Sequence, residues 1–472
     1  MVDGDGADDD PGGGRGRREG GRETIFAVAS GAGKAGVAVV RVSGPGALSA
    51  VIGLTGSLPP PRRAVVRTLR RGEDGAPIDR GLVVTFPAPS SFTGEDMAEF
   101  HLHGGRAVVA ATLAGLAGLA GFRLAKPGEF ARRAFDAGKL DLSEVEGLAD
   151  LIDAETEAQR AQAMRQASGG LRVVVEGWRD RLVGAMALVE AAIDFSDEAD
   201  VADDAVARAE ADAAALMAEI TAELARGHSA EIVRDGLRVV LTGPPNVGKS
   251  SLINALARRD VAIVSAEPGT TRDVLEVRLD IGGYAVVVSD TAGLRTAEGA
   301  IEAEGIRRTR QAMSAADVVV VVGAPDVAMP DARRDAIGPE HGAGGSPRLI
   351  RVRNKADLGV GTDVSGPVAD TSALAVSART GAGIDRLLAA LGMHARDLAG
   401  HEEPGVVTQA RQREVVSSAL GELNSFVAER ELPIEVRAEA LRRAAAALAR
   451  ISGRVDVEDV LDQVFGRFCI GK

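Results

Sequence analysis

Residues 243–250 read Gly-Pro-Pro-Asn246-Val247-Gly248-Lys249-Ser250, which fits the pattern G-x-x-x-x-G-K-[ST]. The chemistry of such a loop is polyphosphate binding. Its glycines let backbone N–H groups turn inward onto phosphate oxygens, and a helix opening at Ser251 adds the partial positive charge of its N-terminus. Lys249 is suited to the β and γ phosphates, and the Ser250 hydroxyl to Mg2+. An apolar strand over 237–241 leads into the loop and a helix over 251–257 leads out of it, which is the context the motif requires. For this one motif taken alone, a chance glycine turn is the competing explanation.

Four further elements follow in the order a guanine-nucleotide site needs. Gly269-Thr270-Thr271-Arg272-Asp273 supplies the Thr271 hydroxyl to complete a Mg2+ shell. A strand over 286–290 ends in Asp290-Thr291-Ala292-Gly293, where Asp290 holds Mg2+ through water and the Gly293 N–H senses the γ-phosphate. In Asn354-Lys355-Ala356-Asp357 the Asp357 carboxylate accepts both guanine N1–H and N2–H, while the Lys355 stem covers the ring. Adenine lacks that donor pair, so GTP is favoured over ATP. Ser377-Ala378-Arg379 places a backbone N–H at guanine O6. Each short element is weak alone; five in register read as a site for GTP and Mg2+.

The hydrolytic apparatus is less usual. Leu294 follows Gly293 where a water-orienting glutamine stands in Ras-like proteins, and no single arginine nominates itself as an internal finger. Asn246 inside the loop and the segment Ser265-Ala266-Glu267-Pro268-Gly269-Thr270 suggest another source of positive charge, a monovalent cation held by an Asn carbonyl and backbone carbonyls.

These motifs need a scaffold, and 472 residues are enough for two or three domains. Residues 1–22 are Gly, Asp and Arg with almost nothing apolar, which reads as a disordered tail. Over 23–140, strand patterns such as 36–42 and 81–86 alternate with helical ones such as 105–119, giving a small α/β domain. Helix period dominates 141–235, with the acidic cluster at 194–204 expected as a solvated loop. Strands and helices alternate over 236–400 as in a parallel doubly wound sheet, and 324–347 reads as a surface insertion. The chain is helical again over 401–472, with Asp456 as N-cap of a final helix over 457–468. The helical parts before and after the sheet are suited to pack together, which makes the sheet domain an insertion.

Composition excludes several classes. A single cysteine, Cys469, rules out an internal disulfide framework and fits a reducing, cytoplasmic setting. The longest uncharged stretch, 107–122, falls short of the roughly 20 residues that span a bilayer, and no secretory signal is evident, so no membrane role is expected. A net charge of −13 argues against a uniformly basic nucleic-acid binder. His101-Leu-His103 lacks a clear third metal ligand. A prenylation reading of Cys469 fits poorly with Gly471 and a terminal Lys472, which leaves a buried inert cysteine.

The segments outside the nucleotide motifs carry a resemblance. Ser91-Phe-Thr-Gly-Glu-Asp96, Lys126-Pro-Gly-Glu-Phe130, Lys139-Leu-Asp-Leu142, Ala192-Ile-Asp-Phe195 and the terminal Arg467-Phe-Cys-Ile-Gly-Lys472 resemble the MnmE (TrmE) family of tRNA-modification GTPases, from Thr24 onward. The resemblance implies an α/β P-loop GTPase domain inserted in an α-helical domain, plus an N-terminal α/β domain that binds folate and dimerises. It implies potassium-dependent hydrolysis of GTP through G-domain pairing, with Asn246, Ser265, Glu267 and Thr270 at the K+ positions and Glu302 positioning water. Ser265 stands where many members carry Thr. Arg41, Glu99, Lys139 and Lys472 match contacts to 5-formyltetrahydrofolate or a related folate, and Cys469 matches a functional thiol near that pocket. Read in isolation, Glu302 is a solvated helix acid, and Arg41, Glu99 and Lys139 are surface charges. The implied function is a homodimer that works with an FAD-dependent MnmG (GidA) family partner on tRNA. Together they would add an aminomethyl or carboxymethylaminomethyl group to C5 of wobble uridine 34. A ribosome-assembly GTPase, or a regulatory GTP switch without modifying activity, is the alternative.

Overall fold

The computed structural model describes residues 23–31, 33–72, 74–194, 199–263, 276–290, 313, 315–327, 347–358, 373–400, 405–453, 461, 464–466, 468 and 470–471. The chain divides into two units, residues 1–140 with 460–472, and residues 141–459.

The first unit is built on strand alternation. In β2 (Ala35–Ser43) Ala38, Val40 and Val42 are buried while Arg41 is only partly so, the period-2 pattern of a sheet with one face on a core. With β1 (Thr24–Val28), β3 (Val65–Arg70), β4 (Pro77–Phe86), β5 (Met97–Gly104) and β6 (Phe122–Leu124) it forms a six-stranded sheet of order β3-β4-β5-β2-β1-β6. β1 and β6 run parallel and the remaining pairs antiparallel. Helices α1 (Ala47–Thr55) and α2 (Arg106–Ala117) contribute Val51, Leu54 and Leu116 to a core around Phe26 and Phe100. α3 (Glu129–Asp136) follows, turning Phe130 into a second apolar cluster with Ile25.

The end of the chain belongs to this same unit, whereas the sequence reading assigned 401–472 entire to the helical domain. Phe465 packs on Phe135 with ring centroids 6.2 Å apart and on Phe468 at 6.4 Å. Ile470 bridges to Pro127, and a Cβ on Gly471, which has φ +108°, would lie 2.0 Å from the Val28 carbonyl oxygen. The surface that buries those rings leaves no local pattern in the sequence.

The second unit opens with α4 (Leu142–Asp153), α5 (Glu157–Ala167), α6 (Gly170–Asp194) and α7 (Ala199–Asp235). Capping boxes start the first two, Asp141 with Glu144 and Thr156 with Gln159. The expected acidic loop over 194–204 is mostly helix, because α6 runs to Asp194 and α7 begins at Ala199. Alanine is the best helix former, and Ala205, Ala209 and Ala213 bury one stripe of α7 while Asp203, Asp204, Asp212 and Glu219 face solvent.

After β7 (Leu237–Thr242) and α8 (Lys249–Ala257) come β8 (Glu276–Ile281), β9 (Tyr284–Asp290), β10 (Val318–Gly323), β11 (Arg348–Arg353), β12 (Leu374–Ala375) and α9 (Ile384–Ala399). The sheet order is β12-β11-β10-β7-β9-β8, parallel except for the β8–β9 hairpin. All six residues of β10 are buried, as a strand covered on both faces demands. Helices α10 (Ala410–Ala428) and α11 (Ile434–Ala449) complete the unit. Leu423, Phe426 and Leu441 from these share one apolar cluster with Trp178, Leu182 and Ile220 of α6 and α7, so one helical core is built from both sides of the sheet segment. The expected tail at 1–22, most of the insertion at 324–347, and most of the final helix at 457–468 lie outside the described residues.

Candidate functional site

Loops at the C-terminal ends of parallel strands gather the described parts of the nucleotide motifs, the usual position for ligands in an open α/β sheet. β7 ends at Thr242 and the chain turns sharply at Gly243, φ +146°, where a Cβ would stand 2.1 Å from the Val322 carbonyl oxygen. Only glycine fits between these two strands. Gly248, φ +90°, precedes α8, and a Cβ there would meet the Asn354 amide nitrogen at 2.4 Å. Asn246 adopts φ +65°, within the left-handed region that Asn tolerates better than most residues.

Lys249 is buried, and its ammonium donates to the carbonyls of Gly243 at 2.9 Å and Pro244 at 3.0 Å. The charge therefore lies within the curl of the loop. Ser250 Oγ donates to Asp290 Oδ2 at 2.8 Å, so the first residues of α8 meet the end of β9 at a buried carboxylate. A serine hydroxyl and a carboxylate in contact are an oxygen donor set suited to Mg2+, directly and through water. Among the described residues no cluster of three His, Cys, Asp or Glu forms a separate metal centre.

The base loop is braced from within. Asn354, 2% exposed, donates to the carbonyls of Val247 at 2.9 Å and Gly248 at 3.3 Å and accepts from the Ala378 N–H at 3.1 Å. Ala356 N–H donates to the Val376 carbonyl at 3.0 Å. Ser377 Oγ donates to Asp357 Oδ1 at 2.6 Å, and the Arg379 guanidinium lies 2.8 Å from Asp357 Oδ2. The Ser377 hydroxyl first, with help from Arg379, holds the Asp357 carboxyl below its ordinary range, so it stays an ionised double acceptor. Lys355, φ +60°, extends its ammonium to within 3.7 Å of Asp326. The geometry suits a polyphosphate at one end and a purine with two adjacent donors at the other.

The structure thus brings together Asn246, Val247, Gly248, Lys249, Ser250, Ser251, Asp290, Asn354, Lys355, Ala356, Asp357, Ser377, Ala378 and Arg379 around one sheet edge. Ser265, Ala266, Glu267, Pro268, Gly269, Thr270, Thr271, Thr291, Ala292, Gly293, Glu302, Cys469 and Lys472 lie outside the described residues.

In the first unit Arg41 of β2 sits opposite Glu99 of β5, and the two pair directly, Nε to Oε1 at 3.0 Å. The two residues expected as separate contacts to a ligand are thus each other's partners. The Arg41 guanidinium lies 5.7 Å from the Phe92 ring centre and 5.8 Å from that of Phe130. Glu99 also meets His101 Nε2 at 3.3 Å, while His103 pairs with Asp79 at 2.8 Å, so the two histidines serve different carboxylates. The stem of Lys139 passes Gly94, where a Cβ would come within 3.5 Å of it. One anchoring residue escaped the sequence: Arg133, 6% exposed, binds Glu95 at 2.8 Å and Glu129 at 3.2 Å, and thereby holds the 91–96 loop. Its partner lies 38 positions away, and no local spacing signals the pair.

Fold and site together define a P-loop GTPase. The family described as "MnmE helical domain" matches residues 142–469, and "GTP-binding protein TrmE N-terminus" matches residues 24–139. The chain belongs to the MnmE family of tRNA modification GTPases, and it is a GTP hydrolase. It is 52% identical over 453 residues to the tRNA modification GTPase MnmE of Parvibaculum lavamentivorans, covering 95% of this chain and 100% of that one. It is 50% identical over 450 residues to the namesake from Azorhizobium caulinodans, covering 95% and 99%. No described helix is long and apolar enough to cross a membrane.

Proposed function

We propose that this chain is a potassium-dependent, homodimeric GTPase acting on tRNA. With an FAD-dependent MnmG (GidA) family partner, it adds an aminomethyl or carboxymethylaminomethyl group to C5 of wobble uridine 34, using a tetrahydrofolate one-carbon unit. The observation that carries the reading is the likeness to MnmE relatives along 95% of the chain, which spans the first unit as well as the nucleotide site.

The residues present fit the reaction. Lys249 neutralises charge on the β and γ phosphates, and the backbone donors of the loop and of the α8 N-terminus hold the remaining oxygens. Ser250, Thr271 and Asp290 are the residues for Mg2+, which when bound supplies further charge neutralisation at the phosphates. Asn246, Ser265, Glu267 and Thr270 are the residues for K+, and Glu302 is the residue for positioning the attacking water. In the first unit, Arg41, flanked by two rings and facing Glu99, offers a cation and a carboxylate beside aromatic surface. That set suits a pterin with a charged tail, with Lys139 and Lys472 adding cations. Cys469 is the thiol assigned to the same pocket.

Deleting the gene and mass-analysing wobble uridines tests the reading. Loss of the C5 substituent is the expected result, with restoration by the intact gene. An unchanged amount of the C5-substituted uridine in the deletion strain overturns it in favour of a ribosome-assembly or purely regulatory role.

A further inference from the structure

Asp357 presents two oxygens, and both already have donors. Ser377, fully buried, reaches Oδ1 from inside the protein at 2.6 Å. Arg379 reaches Oδ2 at 2.8 Å, and its side chain is 76% exposed, so it arrives from solvent. A carboxylate oxygen has two acceptor positions, and Ser377 uses only the inward one on Oδ1. The outward side, from which a base must approach, is where Arg379 stands.

We propose that Arg379 is a specificity-determining residue that competes with the guanine 2-amino group for Oδ2 of Asp357. The inference rests on Asp357 being the guanine reader and adds a role to the side chain of the third residue of Ser377-Ala378-Arg379. Guanine brings two donors, N1–H and N2–H, and must take both oxygens. Hypoxanthine brings only N1–H and can leave Oδ2 with Arg379. The competition therefore penalises guanine more than hypoxanthine and narrows the difference between them. An exposed ion pair is weak and easily screened, so the penalty is small and depends on salt.

The test uses the full chain with Mg2+ and fixed K+, and measures dissociation constants for GDP and IDP by calorimetry. Arg379→Ala, a change at an exposed position, is expected to tighten GDP by about two- to five-fold, the range an exposed pair allows. IDP should move by less, so that the IDP-to-GDP ratio rises. Adding tetramethylammonium chloride should bring wild-type GDP affinity toward that of the variant, and Arg379→Lys should fall between the two. Equal changes for both nucleotides, or weaker GDP binding, overturn the proposal. Asp357→Asn, measured with GDP and XDP, separates the two layers of the argument. If it shifts preference toward xanthine while Arg379→Ala leaves the ratio flat, only the competition fails. If it leaves base preference unaltered, the guanine-reader assignment fails and the competition with it.

Discussion

Asn354 joins segments of the nucleotide site that lie 107 residues apart, because one amide group serves the phosphate loop and the base loop at once. Its NH2 satisfies the carbonyls of Val247 and Gly248, and its oxygen satisfies the Ala378 N–H. Removing it strands these groups in a site where Asn354 itself is buried. A buried polar group without a partner costs about 1–3 kcal/mol. Asn354→Ala is therefore expected to lower GDP affinity by about tenfold or more, read by titration calorimetry, with helix content by circular dichroism unchanged. Undiminished affinity would show that the two loops hold their places without it. Gly248 is required for the same contact, because the approach of the Asn354 amide leaves no room for a Cβ.

At the level of elements, α3 carries a charged cluster whose protonation links fold to acidity. Burial alone pushes Glu129 up, but the Arg123 guanidinium, the Lys126 N–H and Arg133 outweigh it and hold the carboxyl at about 2. A carboxyl depressed in the folded state contributes stability that is full above its unfolded value of 4.5 and is lost as pH falls toward 2. Since Arg123 is one-third exposed, solvent screening limits the contribution to on the order of 2 kcal/mol. Glu129→Gln should lower stability near neutral pH by that order and flatten the loss between pH 4.5 and 2, as followed by urea unfolding at several pH values. An unchanged acid slope would place the sensitivity elsewhere.

Elements were legible in the sequence where their signal is local. β2, β7 and the phosphate loop follow from apolar strand runs and fixed spacing, and the structure extends β2, β7 and the helix that leaves the loop by one or two residues. The 199–204 stretch misled because its acids suggested a loop while its alanines favoured helix. The docking of Phe465 and Phe468, the Arg133–Glu95 pair and the contact of Arg379 with Asp357 depend on which surfaces meet. That is a property of the assembled fold and leaves no periodic trace. In the nucleotide site the residue identities were readable, whereas the hydrogen bonds that brace them were not.

For the molecule as a whole, the sheet segment leaves the helical core through α7 and returns to it near Val406, and α5 clasps both passages. Gln162 donates to the Ala230 carbonyl and Gln159 to the Arg234 carbonyl, each at 2.9 Å, while Gln166 donates to the carbonyl of Val406. Polar clasps of this kind fix the ends of an inserted domain without committing its far face, where the nucleotide loops lie. Under the proposed function that face closes on a second copy and holds K+ beside Asn246, since no glutamine follows Gly293 to orient water. Hydrolysis then requires an encounter between protomers. Phosphate release per protomer in KCl is expected to rise with protein concentration and level off, whereas in NaCl it should stay low throughout. Equal rates in the two salts would remove the potassium assignment, and a rate independent of concentration below the dimer's dissociation range would remove the paired G domains. Either result leaves the guanine site intact, because its residues come from a single chain.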